Sequence, residues 1–246
     1  MKQYKILYEP KGKAGEYGEL AANLINGCSF GCEYCYASRT LHMTKEKFHD
    51  PIEPRKDIIN KLKSDFDKMI AEGDKREVFL CFTCDPLQPL AFENNLIDDV
   101  LIALESREIP YKILTKGGYL EMCNIAKWIS PELCTIGSTL VFANDDDSKK
   151  HEPHAPVTSD RIKLLKMAKA IGCKTWVSLE PTWSKEDVMR IIAKTYKFVD
   201  EYKIGKLNYH PHAKEIDWKE FTLSIIDYCK MMDVKYTLKE DLKKLL

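Results

Sequence analysis

Cys28, Cys32 and Cys35 stand at C-x3-C-x2-C spacing in the segment Asn23-Leu24-Ile25-Asn26-Gly27-Cys28-Ser29-Phe30-Gly31-Cys32-Glu33-Tyr34-Cys35-Tyr36-Ala37. Thiolates are soft ligands suited to iron–sulfur clusters, and three of them on one short loop can grip three irons of a [4Fe–4S] cube. The fourth iron then lacks a protein ligand. An open position of this kind is a functional device: a small molecule carrying an amine and a carboxylate can chelate it, as an open position on zinc admits substrate. Three other readings of the same residues stand beside this one. The loop could hold zinc, with His42 as fourth ligand in a C-x3-C-x2-C-x6-H pattern. It could hold an ordinary four-cysteine cluster completed by Cys81, Cys84 or Cys123. The cysteines could also be merely structural, against which speaks their place in a polar, Gly-rich loop and not on an apolar face.

The elements that must position this loop follow an α/β rhythm. Apolar or β-branched runs at Ala21–Ile25, Val78–Phe82, Tyr111–Thr115, Thr135–Phe142, Lys174–Leu179 and Lys203–Asn208 read as six strands, most of them bounded by Gly, Pro or Asp. Between them, Ile58, Ile59, Leu62, Phe66, Met69 and Ile70 recur at helical spacing, as do Leu96, Ile97, Val100, Leu101 and Leu104. A third stripe, Ile162, Leu165, Ala168 and Ile171, stops at Gly172. Ser184 with Asp187 opens a fourth helix through Val188, Ile191 and Ile192, and a shorter one fills 119–129. Strands joined through helices are nearly parallel, so the architecture is an open or partial β/α barrel or a doubly wound sheet. In both, ligands bind at the C-terminal ends of the strands. The tail 217–246 reads as a helix, a short strand around Lys235–Thr237 and a polar terminal helix.

The chain has 246 residues, 44% hydrophobic and 31% charged, a balance able to bury a sizeable core and one that excludes disordered, collagenous and fibrous classes. Lys plus Arg and Asp plus Glu both number 38, so no global basic field exists to hold nucleic acid, and any such contact is a local patch. The longest apolar runs, Ser138–Ala143 and Val78–Phe82, fall far short of the ~20 residues of a membrane-spanning helix, and no membrane association is expected. The segment 1–10 has no apolar run of the secretory type, which places the protein in the cytoplasm. Nine cysteines, an odd number, favour reduced thiols and metal ligands over a disulfide framework. Without repeats or linkers, 1–246 reads as a single domain, with its core over 20–210 and a C-terminal extension over 211–246.

The cysteine loop, with Tyr34 before its last cysteine, resembles the signature of the radical SAM superfamily. Gly27–Ala37 followed by Thr83-Cys84-Asp85-Pro86-Leu87-Gln88-Pro89 is similar to the branch that holds spore photoproduct lyase and DNA-repair-photolyase-like proteins. Further matches are Thr115-Lys116, Ser138-Thr139 and the run from Glu152-Pro153 to Arg161-Ile162. The resemblance implies a partial (β/α)6 barrel with the cluster loop after the first strand. It implies a [4Fe–4S] cluster and S-adenosyl-L-methionine as cofactors, and a reaction in which the cofactor is reductively cleaved to methionine and a 5′-deoxyadenosyl radical that takes hydrogen from a substrate. A reductase or a flavodoxin- or ferredoxin-type protein would supply the electron. A DNA photolesion or other nucleic acid is the substrate the branch suggests, whereas the chain is shorter before its cluster than the lyase and lacks a broad basic surface.

Carried onto this sequence, the resemblance makes Cys28, Cys32 and Cys35 the iron ligands and sets Tyr34 near the adenine of the cofactor. Lys116 would pair with its methionine carboxylate. Asp85, Ser138, Glu180 and Asn208 lie in or just past strands, where polar side chains reach a barrel mouth, and are candidates for cofactor binding, although Asp85 could equally cap the turn before Pro86. Spore photoproduct lyase uses a cysteine near this stretch as hydrogen donor. Here Phe82 occupies the matching position, flanked by Cys81 and Cys84, either of which could donate if it faces the pocket, since alternation lets only one of Cys81 and Phe82 look inward. Cys81 and Cys84 could also form a dithiol switch. Cys123, Cys134, Cys173 and Cys229 read as core. His151, His154, His210 and His212 lie in two proline-containing loops, where solvent-facing histidines are commoner than metal ligands. A non-catalytic zinc- or cluster-stabilised binding module is the alternative to the enzyme.

Overall fold

The computed structural model describes residues 4–246, so the first three residues of the N-terminal segment considered above lie outside it. Seven parallel strands form one sheet: β1 (Leu20–Ala22), β2 (Val78–Leu80), β3 (Tyr111–Thr115), β4 (Cys134–Thr139), β5 (Lys174–Leu179), β6 (Glu201–Ile204) and β7 (Tyr236–Leu238). Each pairs with the next in chain order. Parallel neighbours require a crossover, and a helix supplies each one. These are α1 (Ile58–Ala71), α2 (Leu96–Glu105), α3 (Tyr119–Ile125), α4 (Thr158–Ala170), α5 (Lys185–Thr195) and α6 (Trp218–Met231). An order that never reverses is that of a barrel, because a doubly wound sheet turns back at a switch point. β1 and β7 do not pair, so the barrel is open between them. The six-stranded partial barrel expected from the sequence is present, and the tail adds a seventh strand beside β6.

Alternation along the strands separates two faces. Leu20, Ala22, Val78, Leu80, Ile113, Ile136 and Val177 pack against Leu62, Phe66, Leu101, Leu165 and Ile191 of the helices. Ala21, Phe79 and Trp176 face the barrel interior, where Tyr17 from the N-terminal segment joins them. Glycine at 137 makes room for this inner cluster: a Cβ there would meet the Trp176 indole at 2.2 Å.

The predicted strands Tyr111–Thr115 and Lys174–Leu179 appear with those bounds. β1 ends earlier than its apolar run, and Ile25–Asn26 instead pairs antiparallel with Glu53–Pro54. β2 also ends early, at Leu80. Cys81 takes a left-handed φ of 69°, uncommon outside glycine, and Asn23 Oδ1 steadies the turn by accepting from Phe82 N at 2.8 Å and Thr83 N at 3.0 Å. Among the described residues, no helix is long and apolar enough to cross a membrane.

Candidate active site at the barrel mouth

The cysteine loop leaves β1 at the C-terminal end of the sheet, where a β/α barrel collects its functional groups. Its entrance depends on Gly27, at φ 89°, where a Cβ would meet Phe48 O at 2.6 Å. Gln88, wholly buried, braces the loop by accepting from Ser29 N at 2.8 Å and donating to Gly27 O at 3.2 Å. His49 Nδ1 lies 2.6 Å from Cys28 O. On the outer side, Glu33 is held by His151 Nδ1 at 2.5 Å and His210 Nε2 at 3.0 Å, and these hydrogen bonds draw its carboxyl below the usual range.

Three thiols on one short loop are a donor set of the kind that suits an iron–sulfur cluster. Among the described residues, no three His, Cys, Asp or Glu side chains converge to hold one metal ion. Three thiols on one loop can each take a separate iron of a cube, whose irons sit at separate corners. His42, the fourth ligand of the zinc reading, is exposed and at a left-handed φ of 54°. The histidines of the two proline-containing loops likewise form no such group: His151 and His210 bond Glu33, and His212 bonds Glu215. Burial pushes the Cys28 thiol well up and the Cys32 thiol up to about 11. The backbone N–H of Phe30 points at Cys28 sulfur, and Ser29 Oγ, buried in the same loop, has no partner among the described residues.

Tyr34, Lys116 and Asp85 come together beside this loop. Lys116 Nζ sits over the Tyr34 ring, 5.4 Å from its centroid. Burial disfavours the Lys116 charge, but neighbouring Cys32 and Glu152 hold its pKa above the ordinary value. Asp85 Oδ2 accepts from Lys116 N at 2.7 Å, and Oδ1 accepts from Thr115 Oγ1 at 2.6 Å and Leu87 N at 2.9 Å. The Asp85 carboxylate thus caps its turn and ties the end of β2 to the end of β3. Burial raises its pKa despite those bonds.

Ser138, Glu180 and Asn208, the remaining candidates, each have a partner within the chain. Ser138 lies on the helix side of β4 with Ile136, and its hydroxyl donates to Thr115 O at 3.2 Å, satisfying the buried group within the chain. Glu180 accepts from Tyr17 Oη at 2.5 Å and pairs with Lys239 Nζ at 3.1 Å. Asn208 donates to Lys206 O at 2.8 Å. Phe82 looks inward and stacks on Phe79 at 4.2 Å, while Cys81 packs into the helix-side core. Cys81 and Cys84 are hydrogen-bonded to each other. Burial and this bond push Cys81 up, and the same bond draws Cys84 down.

The sequence reading assigned no role to a buried pair at the same mouth. Arg161 on α4 is the largest fully buried side chain, and it pairs through Nη2 with Glu152 Oε2 at 2.6 Å. Glu152 Oε1 accepts from the Tyr34 hydroxyl. Both charged residues belonged to a motif match, but nothing in their spacing showed that they would be buried together.

The fold is a partial β/α barrel with one parallel sheet. No family model and no curated protein sequence matches the chain. Solved structures do. A spore photoproduct lyase cysteine variant aligns over 97% of this chain and 79% of its own, with a TM-score of 0.73 at 12% identity. A spore photoproduct lyase variant with bound AdoMet and dinucleoside spore photoproduct aligns over 90% and 76%, with a TM-score of 0.68 at 13% identity. Streptococcus suis SuiB bound to the precursor peptide SuiA aligns over 87% of this chain, with a TM-score of 0.64 at 15% identity. The chain spans about half of SuiB, 47% of its length.

Proposed function

We propose that the protein is a radical S-adenosylmethionine enzyme with one [4Fe–4S] cluster on Cys28, Cys32 and Cys35. The observation that carries this reading is the three-thiol loop at the mouth of a radical SAM barrel, beside Tyr34 and Lys116. The cluster and S-adenosylmethionine, when bound, supply one-electron cleavage of a sulfonium to methionine and a 5′-deoxyadenosyl radical that abstracts hydrogen from substrate. The chain contributes binding, orientation and exclusion of water. Lys116 offers a fixed ammonium for the cofactor carboxylate, and Tyr34 an aromatic face for its adenine. Asp85 sets the turn that carries Lys116. Phe82, Phe79, Trp176 and Tyr17 line the interior with apolar surface that keeps water from a reactive species. Cys84, with Cys81 hydrogen-bonded to it, is the thiol available to return a hydrogen atom.

A nucleic-acid substrate is the reading favoured here, because the likeness covers three quarters or more of spore photoproduct lyase but only half of SuiB. Arg39, 5.7 Å above the exposed Tyr209 ring, offers a local stacking platform in place of a broad basic surface. A flavodoxin- or ferredoxin-type protein or a reductase would deliver the electron, and the 246 residues would work as one domain. The test is chromatography of the reduced, anaerobically reconstituted protein with S-adenosylmethionine. Formation of 5′-deoxyadenosine is expected, faster with an ultraviolet-irradiated oligonucleotide. A reconstituted protein that makes none contradicts the reading.

A further inference from the structure

The buried pair at the mouth is an expensive arrangement. Arg161 and Glu152 each have 0% of their surface exposed. Two charges taken fully out of water seldom gain over apolar side chains of the same volume, so stability alone is a poor reason to keep them. Their hydrogen bonds show what they hold. Arg161 donates through Nε to Pro156 O at 2.6 Å and through Nη1 to Thr139 O at 3.1 Å, which fixes the guanidinium against the end of β4. Glu152 Oε2 takes Arg161 and also Ser148 Oγ at 3.0 Å. Only Oε1 is left, and it takes the hydroxyl of Tyr34 from the cysteine loop. The far end of this chain of contacts is the Tyr34 ring, with the Lys116 ammonium over it.

We propose that Glu152, clamped by Arg161, is a positioning residue for Tyr34, fixing the ring at the mouth so that it sets affinity for S-adenosylmethionine without taking part in cluster ligation. The proposal rests on the radical S-adenosylmethionine reading and names residues of that site to which the sequence assigned no role. A carboxylate anchored by a guanidinium is a strong, directional acceptor for a phenol. Tyr34 is thereby held in one orientation before the cofactor arrives, and the ordering cost of binding falls.

The test compares wild type, Y34F and E152Q, all reconstituted anaerobically and reduced with dithionite. Iron and sulfide content report the cluster. Electron paramagnetic resonance through a titration with S-adenosylmethionine reports the cofactor. The expected result is unchanged iron in both variants, with the midpoint of the spectral change raised about tenfold or more, the size of losing one hydrogen bond to a charged group. The double variant should be no weaker than the worse single variant, because the two side chains act through one bond. Midpoints within twofold of wild type would overturn the proposal and leave the enzyme reading intact. Loss of iron together with the spectral change would also overturn it, making Glu152 a support of the whole loop. A wild type whose signal ignores S-adenosylmethionine would remove the enzyme reading, and the proposal with it. Should E152Q fail to fold, Y34F decides, since it removes one oxygen atom and leaves the buried pair in place.

Discussion

The two ends of the barrel treat charge differently. At the base, where the strands begin, ion pairs reach the surface through at least one partner or through a neighbouring charge: Lys112 with Glu77 at 3.0 Å, Lys169 with Asp200 at 2.5 Å, and Arg76 bridging the nearly buried Asp74 and the exposed Glu9 at 2.7 Å each. At the mouth, two pairs are withdrawn from water, Glu152 with Arg161 and Lys239, 2% exposed, with Glu180. Surface pairs contribute little and tolerate exchange, whereas a buried pair broken on one side leaves a charge without compensation. The base is therefore built for solubility and modest stability, and the mouth for fixed polar geometry. Cysteines divide the same way. Cys134 and Cys173 touch across the start of β4 and β5 with the same pattern as Cys81 and Cys84, one thiol raised by burial and its partner lowered by the shared hydrogen bond, but at the end without the cysteine loop. Position in the barrel, more than residue type or pairing, distinguishes the two cysteine pairs.

The largest effect should come from the cysteine loop. Cys32→Ala should lose its iron and all 5′-deoxyadenosine formation while keeping the fold, read by iron assay, chromatography and circular dichroism; retained turnover would move the site elsewhere. Arg161→Met should cost about 3–5 kcal/mol in urea unfolding by stranding the Glu152 carboxylate. The pair Glu152→Leu with Arg161→Met should recover much of that loss yet not the response to S-adenosylmethionine, which would separate the stability of the mouth from its function. Cys84→Ala should change the product distribution or the coupling of turnover, while Cys134→Ala should cost only about 1 kcal/mol and leave products alone. The smallest effect is expected at Asp74. Hydrogen bonds from Arg76 hold its carboxyl well below the usual range, so its contribution is complete above the ordinary carboxylate pKa of about 3.9 and is lost as pH falls through the lower, folded value. Asp74→Asn should remove about 1 kcal/mol at neutral pH and flatten acid unfolding below about pH 4, read as stability against pH.

Much of the frame was legible because local signals agreed with the global fold. Tyr111–Thr115 and Lys174–Leu179 are β-branched or aromatic-containing runs between turn signals, and each became a strand with those bounds. The stripe from Ile58 became α1, and Ser184 caps α5 by accepting from Asp187 N, as its spacing implied. The cysteine loop was readable because its spacing is local. What was not readable depends on distant partners. β1 and β2 stop short of their apolar runs because Asn23 and the left-handed Cys81 build a turn between them. Tyr17 plugs the barrel from a segment with no periodicity, and the short strand in the tail has no pattern that names β6 as its neighbour. Glu152 and Arg161 look like surface residues in a polar stretch, and only their pairing lets them be buried.

The cluster and its open iron carry the central claim, and one measurement reaches both. Electron paramagnetic resonance of the anaerobically reconstituted, dithionite-reduced wild-type protein should show a reduced [4Fe–4S] signal whose shape changes when S-adenosylmethionine is added. A protein that binds one zinc and no iron, or a cluster signal that the cofactor leaves unchanged, would contradict it.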